Sequence, residues 1–485
     1  MTRLLTALTL FSVFVVGCAS QSGALRPERT SVGNTRAIAA LAERAIIDSL
    51  ESQGATVAIA ISNMNGKNLF LHDASRLMVP VSVQKLGLTA DVLLRLPPDY
   101  RWETRILASG PIEDGVLKGD LILLGGWDPS LSGDFPYSDW PWRRFDEAAK
   151  HLSEQGIQRI EGNLVGVGDL FTPGGWEAGD LIYRYAPVIS QLMWNDGVVT
   201  SWAGMLGDTL TFGLWPDKRM WSEDFTAGRV RPLELPAESS WSPNPETPPE
   251  WLGDPLWPGM NKAGYLAVPD PRILAVDAFR ISLRKAGIEG GDSTRVIKAE
   301  GFSVESFREI LSLRSAPLDS VLKSMLAVSS NGWAEQIAAT ANSVIRGVRP
   351  AEPLWPEALD SLEVDPRGLR AVDACGMARA NNLTAMTLLD LLIEAKNRWG
   401  DRWTGLFVKP GELYSTLEDR LEDVKDLVIA KTGSVSRNRS LAGYILQNGE
   451  PKLAFVVMVN NSPIQPNPFI DAFIAELALR CNGKE

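Results

Sequence analysis

Three short groups of residues, far apart in the chain, carry side chains suited to acyl transfer. Ser82-Val83-Gln84-Lys85 comes first, Ser329-Ser330-Asn331 second and Lys431-Thr432-Gly433 third. A serine hydroxyl attacks a carbonyl well only when a base takes its proton. Lysine can be that base if burial or a nearby cation leaves it neutral. Ser82 and Lys85 stand three residues apart at the start of an apolar run with Leu86, Leu88, Ala90 and Val92, which places both on one face of an expected helix. The start of that helix offers free N–H groups and a partial positive charge to an oxyanion. Lys431 is the expected cation beside Lys85. Ser329 can pass a proton to a leaving amine, and Asn331 can hold Lys85 and a peptide carbonyl together. Lys431 and Thr432 can bind a terminal carboxylate, while Gly433 lets a substrate backbone approach a strand edge. The N–H groups of Ser82 and Ser434 would complete an oxyanion hole. Singly, each group also has a plain structural meaning: a helix cap for the serines and Asn331, an exposed turn for Lys431.

Composition narrows the alternatives. The chain has 485 residues, 45% hydrophobic and 22% charged, which suits a globular protein of two or three domains. A net charge of −11 leaves no basic face for nucleic acid. Histidine occurs only at positions 72 and 151 and cysteine only at 18, 375 and 481, so no group has metal-ligand spacing and a lysine base is favoured over a Ser-His-Asp triad. Neither a metal nor another cofactor is expected. Arg3 and the apolar run 4–16 read as an export signal spanning residues 1–17, too short for a membrane span. Val15-Val16-Gly17-Cys18 resembles a bacterial lipobox, which makes Cys18 the expected lipid attachment and 18–33 a polar tether. An ordinary cleaved signal is the alternative.

The elements that must position the three groups are legible at the two ends of the chain. Asn34 or Thr35 can cap a helix with Ile38, Leu41, Ala42, Ala45 and Ile46 on one face. Two β-rich runs, 56–62 and 68–71, flank Asn65-Gly66, a strong hairpin signal. Further strands are expected at 426–430, 440–446 and 453–459, the last two joined across Asn448-Gly449, with a helix after Asn467-Pro468 burying Phe469, Phe473, Ile474 and Leu477. Lys431-Thr432-Gly433 would then end the first of these strands. Terminal helices around an antiparallel sheet define an α+β layered domain. The 246 residues between Ser82 and Ser329 exceed any connection within a compact domain. We expect catalytic segments at 34–108 and 300–485 and inserted material at 109–299. Eleven of the 16 tryptophans fall from Trp127 to Trp257, and 231–259 is rich in proline. Core packing is the expected role of these rings, with stacking on sugars as the alternative.

The motifs and their surroundings resemble the low-molecular-mass class C penicillin-binding proteins, the D-alanyl-D-alanine carboxypeptidases and endopeptidases. Leu117-x-Gly119-Asp120-Leu121 with Gly125-Gly126-Trp127-Asp128-Pro129 is similar to a stretch of that family, as are Gly162-Asn163-Leu164-Val165 and Tyr185-Ala186-Pro187-Val188. So are Arg314-Ser315-Ala316-Pro317 with Ala334-Glu335, Val372-Asp373-Ala374-Cys375-Gly376-Met377, and Leu441-Ala442-Gly443-Tyr444. The resemblance implies a penicillin-binding, β-lactamase-like domain in which Ser82 is acylated, Lys85 is its base, Ser329 relays a proton, and Asn331, Lys431 and Thr432 bind substrate. It implies peptidoglycan stem peptides as substrates, β-lactams as covalent inhibitors, and a lipid-anchored enzyme at the periplasmic face of a bacterial membrane, the outer membrane favoured. Departures include Ser330 for an aspartate, Ala374-Cys375 for Gly-Ser, and Val167 where the family often has an aspartate, with Asp169 two residues on. Arg379 remains for the carboxylate of a diaminopimelate side chain. Two alternatives stay open here: a β-lactamase or esterase on the same fold, and a wall-binding lipoprotein with a vestigial site.

Overall fold

In the computed structural model of the chain, residues 35–132, 141–181, 183–206, 209–215 and 262–483 are described. The export signal, Cys18, the tether, Asn34 and the proline-rich segment 231–259 lie outside them. No helix among the described residues is long and apolar enough to cross a membrane.

One five-stranded antiparallel sheet joins the two ends of the chain. Its order is Val428–Val435, Asn438–Gln447, Glu450–Asn460, Thr56–Asn63, Asn68–His72. The local turns explain two of its hairpins. Asn448 and Gly449 both have positive φ between the paired Gln447 and Glu450, as a tight two-residue hairpin requires, and Gly66 at φ +77 turns the other. Alternation then sorts the side chains. Val57, Ile59 and Ile61 face Ile38, Leu41, Ile46, Phe473, Ile474 and Leu477 of the terminal helices. Ala58 and Ala60 face the opposite layer, which holds Leu86, Leu88, Leu388 and Leu392. Helices on both faces of the sheet make the fold α+β. Phe469 is only partly buried at the margin of the first layer.

A second five-stranded sheet, of mixed direction, lies in the long interval between the first two motifs. Its order is Thr294–Ile297, Leu164–Val167, Leu121–Leu124, Glu103–Ala108, Arg308–Arg314. The outer pair, 103–108 with 308–314, brings the entering and leaving chain together, so this sheet reaches past the 109–299 span on both sides. Helices Pro141–Glu154 and Pro271–Lys285 pack on it around Phe145, Phe279, Trp142 and Trp194. Trp127, Trp142 and Trp194 are fully buried, which gives these three rings to the core and leaves none of them free to stack on a sugar. A three-stranded sheet, Val198–Leu206 with Thr209–Trp215 and Lys262–Ala267, brackets the proline-rich stretch.

Candidate active site

Ser82 does not sit in an α-helical first turn. It lies in a 3-10 turn, Val81–Gln84, that runs directly into the helix Lys85–Arg95. Val81 has φ +50, a conformation that a β-branched residue adopts only when its surroundings impose it, at a cost of about 1–3 kcal/mol. Two contacts impose it. The Ser440 hydroxyl donates to the Pro80 carbonyl at 2.9 Å. Gly376, at φ +88, comes so close that a Cβ there would lie 2.1 Å from the Val81 carbonyl oxygen. Ser82 is thus held between the sheet and the 373–376 turn.

The three motifs meet. Lys85 Nζ is 3.0 Å from Ser82 Oγ, 2.7 Å from Asn331 Oδ1 and 2.8 Å from the Cys375 carbonyl. Its side chain is wholly buried, and burial lowers its pKa against the opposing pull of Cys375, Asp373 and Glu335. Lys431 Nζ donates to Ser329 Oγ at 2.8 Å and to the Thr432 carbonyl at 2.7 Å. Burial and then repulsion from Lys85 hold Lys431 well below the ordinary lysine range. Of the two causes the sequence offered, burial or a nearby cation, burial is the largest at Lys85, and Lys85 and Lys431 stand near enough to repel each other.

Ser329 is the left-handed link, φ +58, between helices Leu318–Val328 and Asn331–Ala339. Ser330 takes the capping role instead, accepting from the Trp333 N–H at 3.2 Å. That division leaves the Ser329 and Asn331 side chains to the cleft. Asn331 is clamped from both ends, because its Nδ2 donates to the Tyr185 carbonyl at 2.8 Å while its Oδ1 meets Lys85. Trp333 Nε1 in turn donates to Asp196 at 2.9 Å, so the inserted region braces the second motif at two points.

Lys431-Thr432-Gly433 lies inside an edge strand, not at its end as expected, because Val428–Val435 pairs continuously with Asn438–Gln447. The Ala430 N–H points away from that partner, to the Val408 carbonyl at 3.1 Å. By the two-residue repeat of a strand, the N–H groups of Thr432 and Ser434 point to the same open edge. Gly433 has no room for a side chain: a Cβ would meet Ser440 Oγ at 2.2 Å, Val81 Cγ2 at 2.5 Å and Ser82 N at 3.0 Å. The bare Gly433 thus lets the edge strand lie directly against the Ser82 backbone. Thr432 Oγ1 is oriented by a 2.7 Å hydrogen bond to Thr416.

Other expected residues stand apart. Arg379 is exposed and, among the described residues, has no side-chain hydrogen bond or ion pair. Val167 is buried in an apolar cluster with Leu107, Ile122 and Val165. Asp169 accepts from the Ala299 N–H at 3.1 Å. Cys375 and Cys481 are both buried and free, in separate cores. Glu335, Asp373 and Cys375 lie close enough together to suggest a cation site. Their carboxylates are instead surrounded by N–H donors from Ala374, Cys375, Gly376, Ala378, Asn381 and Trp176, which is the environment of a braced turn.

The profile of the D-Ala-D-Ala carboxypeptidase 3 (S13) family matches residues 37–220 and 259–478. The D-alanyl-D-alanine carboxypeptidase of Actinomadura sp. strain R39 is 26% identical over 471 residues, covering 90% of this chain and 83% of the relative. The D-alanyl-D-alanine carboxypeptidase DacB of Haemophilus influenzae is 24% identical over 468 residues, covering 84% and 86%. The fold is similar to the crystal structure of penicillin binding protein 4 from Haemophilus influenzae, with TM-score 0.69 at 19% identity over 91% of this chain and 98% of the other. A second structure of that protein, complexed with a β-lactam, gives TM-score 0.64 at 20% identity over the same shares.

Proposed function

Because the chain belongs to the D-Ala-D-Ala carboxypeptidase 3 (S13) family, and is thereby a serine-type D-Ala-D-Ala carboxypeptidase, we propose that it hydrolyses peptidoglycan stem peptides through an acyl-enzyme on Ser82. The observation that carries this assignment is the buried Lys85 amine, 3.0 Å from Ser82 Oγ and held by two further acceptors. Neutral Lys85 takes the Ser82 proton as Oγ attacks the carbonyl carbon of the penultimate D-alanine. The N–H groups of Ser82 and Ser434 receive the developing oxyanion. Lys431 and Thr432 hold the terminal carboxylate. When the C–N bond breaks, Ser329 gives its proton to the departing amine and is refilled from Lys431, to which it is bonded. The proton that Lys85 took from Ser82 makes good the one Lys431 gave up, which frees Lys85 to take a proton from the water that enters the vacated place; Lys85 returns that proton to Ser82 Oγ as the acid leaves.

The same attack on a lactam carbonyl would leave the enzyme acylated, since the leaving amine stays tethered within the adduct. In the direct test, the purified protein releases D-alanine from a pentapeptide ending in D-Ala-D-Ala, and prior penicillin stops release while adding one penicillin mass. A protein that neither releases D-alanine nor takes up penicillin would sink the assignment.

Side-chain selection is expected to be weak at the diaminopimelate position. Val167 is buried and the Asp169 carboxylate is engaged by the Ala299 N–H, so neither supplies an anion to the free amine, while exposed Arg379 can pair with its carboxylate. Acetylating that amine should lower kcat/KM by less than about 10²-fold, or roughly 2.7 kcal/mol. A larger penalty would reveal another acid reading it.

Membrane attachment at the periplasmic face, through lipid on Cys18, rests on the Val15-Val16-Gly17-Cys18 motif. Wild-type protein should begin at Cys18 and fractionate with membranes, and Cys18→Ser should be released or left unprocessed. Unlipidated wild-type protein in the soluble fraction would point to an ordinary signal peptide.

A further inference from the structure

Lys85 is bordered by two acids that touch no part of the expected substrate path. Glu335 and Asp373 are 4% and 2% exposed, and both hold the turn that begins at Asp373. Glu335 Oε1 accepts the N–H of Ala374 at 2.9 Å and that of Cys375 at 2.8 Å. Asp373 holds the other side of the turn, accepting from Gly376 at 2.8 Å and Ala378 at 2.7 Å. Glu335 thus fixes the two peptides before residue 375 and Asp373 the peptide after it, and the carbonyl of that last peptide, Cys375 O, stands 2.8 Å from Lys85 Nζ. Glu335 also lies four residues after Asn331 on the same helix, hence on the same face. One helix face therefore supplies Lys85 with one acceptor, Asn331, and holds through Glu335 the N–H of the residue that carries the other.

The count of protons on Lys85 makes this arrangement consequential. A neutral amine has two N–H bonds and one lone pair, set tetrahedrally with the Cε bond. Two fixed acceptors take the two N–H bonds, so the lone pair can only face the third neighbour, Ser82 Oγ. Without the second acceptor the amine could rotate and spend an N–H on Ser82, presenting a donor where the reaction needs a base.

We propose that Glu335 is a positioning residue of the reaction: by holding the N–H groups of Ala374 and Cys375 it places residue 375, whose carbonyl is the second acceptor that aims the Lys85 lone pair at Ser82. The inference rests on Lys85 being the base. The role is geometric. Burial, reinforced by the charge of Asp373, pushes the Glu335 carboxyl up to about 8, so near neutral pH it is largely the acid, and its carbonyl oxygen still accepts both N–H groups. The ionisable groups around the amine are Asp373 and Cys375 from the turn, Glu335 from the helix and Lys431 from the edge strand.

Two variants separate geometry from charge. Glu335→Gln keeps the accepting oxygen in place and removes the charge; Glu335→Asp keeps the carboxylate and withdraws it by one methylene. First-order acylation by a chromogenic β-lactam is measured across pH, with the encounter constant resolved from the rate, and all rates are referred to a wild type that acylates. Glu335→Gln should stay within about threefold of wild type. Glu335→Asp should lose at least tenfold in rate, toward the ~10² associated with a general base, with its encounter constant unchanged. The loss should persist at high pH, because removing a proton does not re-aim a misdirected amine. Wild-type acylation in Glu335→Asp, equal losses in both variants, or recovery of Glu335→Asp at high pH would each overturn the inference. Should Glu335→Asp fail to fold by thermal melting, Glu335→Gln decides alone: a rate below a tenth of wild type refutes a geometric role, and a rate within threefold upholds it. An inert wild type would instead refute the assignment of Ser82 and Lys85.

Discussion

Ser82→Ala is expected to abolish covalent β-lactam labelling and D-alanine release together, with the protein still folded. The chemistry leaves no substitute, because among the described residues no other hydroxyl makes the 3.0 Å contact with the Lys85 amine that Ser82 makes. The structural cost is small by comparison. Ser82 is only partly buried, and the substitution removes one hydrogen bond, about 1 kcal/mol. Melting should therefore shift by a few degrees at most, while intact mass after penicillin treatment shows no adduct. An adduct at another residue, or undiminished labelling of the alanine variant, would falsify the nucleophile.

Lys85→Arg should slow acylation by at least the ~10²-fold expected for losing a general base. Arginine keeps a cation but cannot give up its proton in a protein. The pH dependence supplies a second mark. Burial lowers the pKa of Lys85 from 10.5, so wild-type acylation should rise with pH through that lowered value as the amine becomes neutral. The arginine variant should lack this limb altogether. Stability carries the same sign: between the folded value and 10.5 the unfolded chain binds more protons at this lysine, so its contribution to stability rises with pH. In Lys85→Arg the buried charge is permanent, and melting must be followed alongside the rates. Stopped-flow acylation at the wild-type rate with a folded arginine variant would leave Lys85 a structural cation.

What the sequence determined by itself was the chemistry and the local structure. Residue types at Ser82, Lys85, Ser329, Asn331, Lys431 and Thr432 are those the proposed nucleophile, base, relay and carboxylate site require. The Asn65-Gly66 and Asn448-Gly449 turns with alternating apolar residues specify two hairpins, since turn type and a two-residue repeat act between near neighbours. The tertiary structure decided the rest, because it depends on groups far apart in the chain. Pairing of 103–108 with 308–314 closes the inserted unit on itself, and no local pattern announces a partner some two hundred residues away. The Cys375 carbonyl and the Tyr185 carbonyl enter the site as backbone, which every residue possesses, so side-chain identity could not reveal them. The lowered pKa of Lys85 is likewise a property of burial. Its sequence neighbours supply the helix, but only the packing of Asn331, Glu335 and the 373–376 turn around it removes water, and with the water the preference for a charged amine.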